Sequence, residues 1–279
     1  MNFPRILKKR KGYIDRIKPF MQKSVAKVLT GQRRVGKSFL LYQLIEEILG
    51  EEPDANIIYI NLEDFAFSSL QTAEDLHSYI ISHSKEKAKN YIFIDEIQDI
   101  PGFEKVIRSL LLNEDNDIYI TGSNAKMLSG ELATYLSGRY IEFKIYSLSY
   151  SEFLEFHGLT ESEMSYELYS RYGGLPYLLN LPLEDETVNE YLKSVYSTIV
   201  FRDVVSRYKL RNTLFLEKLI QFLSENIGNL FSAKNISDYL KSQHTAISVN
   251  QIQSYTEYLN NAFLIHRVER YDLIGKRVF

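Results

Sequence analysis

The sequence places Gly31, Gln32, Arg33, Arg34, Val35, Gly36, Lys37 and Ser38 in a row, GQRRVGKS, between the apolar run SVAKVLT and the stretch SFLLYQLIEEIL. That is the spacing G-x-x-x-x-G-K-[ST] in the context it requires, a strand before and a helix after. Two glycines let the backbone curl until its N–H groups face inward, and the helix N-terminus adds donors of its own, so the segment reads as a cradle for phosphate. Lys37 then reaches the outer phosphates of a nucleotide. Ser38 supplies a small hydroxyl for Mg²⁺, a cation that takes oxygen ligands and keeps several waters.

A magnesium site needs a carboxylate from a second element, and NYIFIDEIQ offers Asp95 and Glu96 at the end of an apolar run. Asp95 reads as the residue that orients the metal and its water shell, and Glu96 as the general base for an attacking water. Successive strand residues face opposite sides, so both carboxylates reach one site only if the chain turns at the strand's end. An acidic pair at a turn is common in itself, and the upstream loop is what gives this one meaning. In DIYITGSNAKML the apolar part ends in Thr121, Gly122, Ser123 and Asn124, and Ser123 or Asn124 can touch the γ-phosphate or the lytic water from a strand between the other two. The same residues also read as a helix N-cap. Arg139, in LSGRYIEF, is a permanently charged fork of the kind that stabilises a transferring phosphoryl group, within the subunit or across to a neighbour; a surface ion pair is the plain alternative.

The elements that must position these residues follow from the pattern of apolar runs. SVAKVLT, NIIYINLE, NYIFIDE, DIYITGS and YIEFKIY alternate with helical patterns, the signature of β-α units whose parallel strands are buried on both faces. The fold class is therefore α/β, a P-loop parallel sheet. Phe39, Leu40, Leu44, Ile45 and Ile48 fall at helical spacing, with Gly50 as the stop. Lys and Arg total 33 against 36 Asp and Glu, net charge -3, so no global field calls for nucleic acid. The chain has no Cys and no paired His spacing, which leaves a hard, oxygen-bound metal as the kind to expect. No run is long enough to span a bilayer, and the chain reads as soluble and cytoplasmic, without a membrane partner. Lys8 to Lys11 read as a solvated basic tail or a phosphate-binding arm.

Taken together, GQRRVGKS, YINLED, FIDEIQ, ITGSNAKML, LSGR, SLSYSEFLEF and YGGLP resemble, in order and over residues 25 to 210, the prokaryotic AAA-type ATPases of the extended AAA+ group that carry a C-terminal domain of unknown function. The resemblance implies ATP binding and slow or regulated hydrolysis, with Lys37 and Ser38 on phosphate and magnesium and Asp95 and Glu96 on magnesium and water. It also implies Asn124 as the sensor and Arg139 as an arginine finger or sensor. Glu63 and Asp64 match an acidic segment to which no role attaches. Such proteins continue past IGKRVF into a further domain, so this sequence is expected to be a piece or a short form. An ATP-dependent DNA-binding or regulatory switch with little hydrolysis is the alternative.

From Ser147 the strands cease. SEFLEF and EMSYELYSRYGGLPYLL predict helices, with Gly173, Gly174 and Pro176 as the turn between two of them. The expected organisation is a nucleotide-binding core over 1–146 with a basic arm, a helical lid over 147–211, and a winged helix-turn-helix over 212–279. In the last part Ser232 and Ser248 are placed as N-caps, Val249, Ile252, Tyr255 and Leu259 form the inner stripe of the third helix, and FLIHRVERYD reads as a strand before a wing. Asn250, Gln251, Gln253, Ser254 and Glu257 face outward without a cation. Seven Lys or Arg against six Asp or Glu from Thr213 onward give 7 − 6 = +1. Phosphate anchoring needs cations, so weak, non-specific DNA binding through Lys234, Lys241, Lys276 and Arg277 stands beside contact with an unknown protein, or a homo-oligomer, as the partner reading.

Overall fold

The computed structural model describes residues 8–125, 133–136, 138–242 and 247–268. Two compact units divide the chain, Met1–Lys193 and Ser194–Phe279.

In the first unit all five apolar runs form strands: β1 (Ala26–Thr30), β2 (Asn56–Asn61), β3 (Asn90–Asp95), β4 (Asn116–Gly122) and β5 (Tyr140–Lys144). They pair in parallel in the order β2-β3-β4-β1-β5. Helices α1 (Lys11–Ile17), α2 (Lys37–Glu51), α3 (Ala73–His83) and α4 (Phe103–Leu110), with the short α5 (Ala133–Leu136), accompany the sheet. Strand periodicity explains the two cores. Ile92, Ile94, Ile118 and Ile120 pack with Leu76 and Ile80 of α3 and Ile107 of α4, whereas Tyr91, Phe93 and Tyr119 pack with Leu40, Leu41, Leu44 and Ile45 of α2. Phe93 stacks on Tyr119 across neighbouring strands at 4.4 Å between ring centroids. With both faces covered, the inner strands β3 and β4 run apolar through Tyr91–Ile94 and Ile118–Ile120, whereas the edge strand β5 alternates, with Glu142 and Lys144 between apolar residues.

Two details of α2 differ from the sequence pattern. The helix passes through Gly50 to Glu51, and Phe39 is 46% exposed, because a start at Lys37 turns that position outward, edge-on to Tyr42.

Beyond the sheet, α6 (Tyr150–His157) starts in a capping box made by Ser149 and Glu152. Next, α7 (Glu163–Tyr172) ends at Gly173, whose φ of 73° suits glycine, and Pro176 opens a 3₁₀ turn, Pro176–Asn180, before α8 (Asp185–Thr198). Gly174 has a different constraint. A Cβ there would lie 2.2 Å from the Leu148 carbonyl oxygen, and the Leu148 N–H donates to the Gly174 carbonyl at 2.7 Å. The two backbones touch, and only glycine allows it.

The second unit holds a π-helical segment Ile199–Ser206, then α9 (Thr213–Glu225), α10 (Ala233–Ser242) and α11 (Val249–Asn261). Ser248 caps α11 through the Gln251 N–H, and Ile252, Tyr255 and Leu259 form its buried stripe, with Val249 half-buried. The strand expected from FLIHRVERYD is not formed over Phe263–Val268, which are turn and coil, so among the described residues this unit is helical. Phe263 has φ of 56°, which is incompatible with continuing as a strand there. The rest of that run, Lys276 and Arg277, and residues 126–132 lie outside the described residues. No helix of the described residues is long and apolar enough to cross a membrane.

Candidate functional site

The loop from Gly31 to Ser38 leaves the C-terminal end of β1 and runs into α2. Gly31 is required by close approach: a Cβ would fall 2.2 Å from the Ile145 carbonyl oxygen, where the chain leaving β5 donates the Ile145 N–H to Thr30 at 2.7 Å. Gly36, at φ 93°, is the residue from which α2 departs, and Arg34 is also left-handed, at 67°. A Cβ on Gly36 would sit 3.7 Å from the Pro176 ring, so the YGGLP turn covers the loop. Val35 is buried in the α2-side core, Gln32 is half-buried and Arg34 is exposed. The Lys37 ammonium is 4% exposed, donates to the carbonyls of Gly31 and Gln32 at 3.0 and 3.1 Å, and lies 3.5 Å from Glu96 Oε1. Arg33, also buried, donates to Glu63 Oε1 at 2.9 Å.

Asp95 ends β3 buried, and the hydroxyls of Thr121 and Ser38 donate to it. Thr121 also accepts the Glu96 N–H at 2.9 Å, so one hydroxyl on the central strand ties both acidic residues. Glu96 has φ 55° and ψ 46°. This left-handed step, which costs a non-glycine residue about 1–2 kcal/mol, is what turns the second carboxylate to the same side as the first. Gln98 holds it by donating to Glu96 Oε2 at 2.6 Å. Burial is the largest influence on both acids. For Asp95 it prevails, aided by the Glu96 charge, and the carboxyl is raised above its usual range. For Glu96, Lys37, Gln98 and Arg33 outweigh burial and hold the carboxyl below it. A cation beside Asp95 would reverse its shift.

Among the described residues no three His, Cys, Asp or Glu side chains converge on a metal-sized site. The Ser38 hydroxyl and the Asp95 carboxylate, hydrogen-bonded to each other, are a two-oxygen set, and that fits Mg²⁺, which draws its remaining ligands from phosphate and water.

Ser123 and Asn124 follow the end of β4, both buried, at the same edge of the sheet. Arg139 is not brought there. Its carbonyl accepts the Ala26 N–H at 2.9 Å, at the opposite end of β1, and it is exposed. The length of β1, at ~3.3 Å per residue, separates it from the loop by roughly 16 Å, so within one chain it does not reach the site. In the basic arm Lys9 and Lys11 are exposed, as in a solvated run, but Arg10 differs from both readings. Arg10 is 4% exposed; its fork holds Glu152 at 2.7 and 2.8 Å, and Nη1 donates to the carbonyls of Val35 and Tyr146 at 3.2 and 2.9 Å. It braces the loop from behind and is neither a solvated tail nor a phosphate ligand. The sequence pattern gives Thr121 and Gln98 no role at the site, and it reads Pro176 as a turn residue without placing it over the loop. A threonine among the apolar residues of DIYITG was the one visible signal.

A parallel sheet in this order, with a glycine-lysine loop leaving β1 and paired carboxylates ending β3, defines a P-loop domain of the AAA type. Residues 23–154 match the family described as AAA domain, and residues 163–278 match a domain of unknown function. An uncharacterized protein of Haemophilus influenzae is 38% identical over 277 residues, covering 96% of this chain and 68% of that protein. One from Methanocaldococcus jannaschii is 33% identical over 265 residues, covering 90% of this chain and 58% of that protein. The chain belongs to this family of prokaryotic AAA-type ATPases with a C-terminal domain of unknown function, and it spans about two thirds or less of these relatives' length. Among solved structures, the Aeropyrum pernix ORC1 protein in complex with DNA is a distant likeness, 14% identical over 96% of this chain and 87% of that one, with a TM-score of 0.45.

Proposed function

We propose that the chain is a cytoplasmic, Mg-dependent ATPase that couples ATP binding and hydrolysis to a conformational switch acting on a partner. The observation that carries this reading is the convergence of Lys37, Asp95, Glu96 and Thr121, all buried, at the C-terminal edge of the sheet where the loop begins. The loop N–H groups and Lys37 bind the phosphates. Asp95 and Ser38 hold Mg²⁺, which supplies neutralisation of phosphate charge. Glu96 orients and deprotonates water, and Asn124 contacts the terminal phosphate or that water.

One feature favours slow, regulated turnover. Lys37 is engaged with Glu96 and with the loop's own carbonyls, so base and phosphate ligand neutralise each other until phosphate draws the lysine away. The second unit is proposed as the partner-contacting part. On α11, Asn250, Gln251, Gln253 and Glu257 are exposed and carry no cation, which supports a protein partner over sequence-selective DNA binding.

The test is ATP binding and turnover with Mg²⁺. Lys37→Ala is expected to lose tight binding, and Glu96→Gln to bind normally while turnover falls about 10²–10⁴-fold. Equal turnover by Glu96→Gln and wild type would remove the base assignment, and normal binding without turnover in wild type would leave the switch as the function.

A further inference from the structure

Arg33 sits inside the loop yet has its salt-bridge partner outside it. Its guanidinium is almost fully buried and donates to Glu63 Oε1 at 2.9 Å, while its charge also acts on Glu96. Glu63 belongs to the turn after β2, which no part of the proposed chemistry uses. That turn is tightly knitted: the Glu63 N–H donates to Asn61 Oδ1 at 3.0 Å, the Ala66 N–H to Asp64 Oδ1 at 3.0 Å, and the Phe67 N–H to the Asp64 carbonyl at 2.9 Å. It begins beside the metal carboxylate, since the Leu62 N–H donates to the Asp95 carbonyl at 3.3 Å. At its tip Phe65 is 88% exposed, whereas Phe67 packs on the sheet core.

Two ion pairs therefore share this region with Asp95, Lys37 with Glu96 and Arg33 with Glu63. A triphosphate adds negative charge that must be matched by the loop's cations, and a planar guanidinium binds phosphate as well as carboxylate. Glu63, with its side chain 41% exposed, gives up its partner at little cost because water replaces it, whereas Glu96 is buried.

We propose that Arg33 is the sensor of the terminal phosphate: it exchanges Glu63 for that phosphate when a triphosphate is bound, and the exchange releases the Asn61–Phe67 turn that presents Phe65. This rests on the nucleotide reading above and adds its output, the surface around Phe65, whose position depends on whether the nucleotide has two phosphates or three. The roles divide by geometry. Lys37 meets any nucleotide through the loop, while Arg33 distinguishes them.

The chain has no Trp, so Phe65→Trp introduces a single reporter at an exposed position. Its emission and acrylamide quenching are followed with Mg·ADP and with a non-hydrolysable Mg·ATP analogue, and the affinities of both nucleotides are measured by calorimetry. In the Phe65→Trp background the analogue is expected to change the signal and ADP to leave it unchanged. Adding Arg33→Ala is expected to abolish the analogue-specific change and cut the preference for triphosphate over diphosphate about tenfold, equivalent to ~1.4 kcal/mol, with ADP affinity held. Adding Glu63→Gln, at a half-exposed and isosteric site, is expected to shift the nucleotide-free signal toward the triphosphate state and tighten the analogue severalfold. An unaltered affinity ratio in Arg33→Ala, or a Glu63→Gln signal identical to its parent, overturns the proposal while nucleotide binding stands. Failure of the parent to bind either nucleotide overturns the nucleotide reading and this inference together.

Discussion

Removing the Arg10 side chain should destabilise the first unit more than any change at the exposed lysines beside it. The guanidinium makes the fork to Glu152, the bonds to Val35 and Tyr146, and a 3.4 Å bond to the Ser147 carbonyl, and it lies 4.5 Å over the Tyr13 ring. Arg10→Ala leaves those carbonyls without this donor and Glu152 with only the Ser149 N–H from the set. Breaking a buried pair from one side typically costs 3–5 kcal/mol. Glu152 is 24% exposed and recovers some hydration, so about 3 kcal/mol is expected, the low end of that range. Arg10→Lys keeps the charge and loses the fork, and should recover no more than about half. The assay is the urea midpoint, converted with a shared slope, in a double-mutant cycle with Glu152→Gln. The coupling should be at least about 1 kcal/mol. A loss below that from Arg10→Ala would refute the bracing role and return the arm to a solvated tail.

Three further outcomes follow from the same geometry. Burial would raise the Glu152 carboxyl, but Arg10 and the Ser149 N–H more than offset it and hold the folded value below the ordinary 4.5. A depressed carboxylate stabilises above the unfolded value and loses that contribution as pH falls through the folded one, so the stability gap between wild type and Glu152→Gln should be full at neutral pH and close below about pH 4.5 in paired thermal melts. Gly174→Ala must push the YGGLP turn off Leu148, since a 2.2 Å contact between backbones has to open; about 2–3 kcal/mol and weaker nucleotide binding are expected, and a midpoint shift equivalent to less than about 0.5 kcal/mol would show that the two segments slide freely. Arg139, at the far end of β1, should act on a neighbouring subunit's nucleotide: mixing Arg139→Ala with Lys37→Ala chains should restore turnover, and no rescue at any concentration would make Arg139 structural.

Local chemistry was legible in the chain itself. The loop spacing, the five apolar runs, the Ser248 cap and the Gly173–Pro176 turn each depend on residues within one or two turns of each other, so pattern and propensity suffice to read them. Tertiary structure decided whatever joined distant segments. Arg10 reads as one more cation in a basic run, and only packing against Glu152, 142 residues away, makes it a buried brace. Thr121 reads as a strand residue, and only the placement of β4 between β3 and β1 puts its hydroxyl between Asp95 and the Glu96 N–H. The turn that lets two adjacent acids face one site is a left-handed residue that no propensity favours, sustained by contacts from other elements. Arg139 and Arg33 exchange prominence for the same reason: parallel strand order sends one to the far edge and leaves the other, inside the loop, facing a carboxylate 30 residues on. Spacing along the chain names the residue types a site can use, but the crossing of strands determines which of them meet.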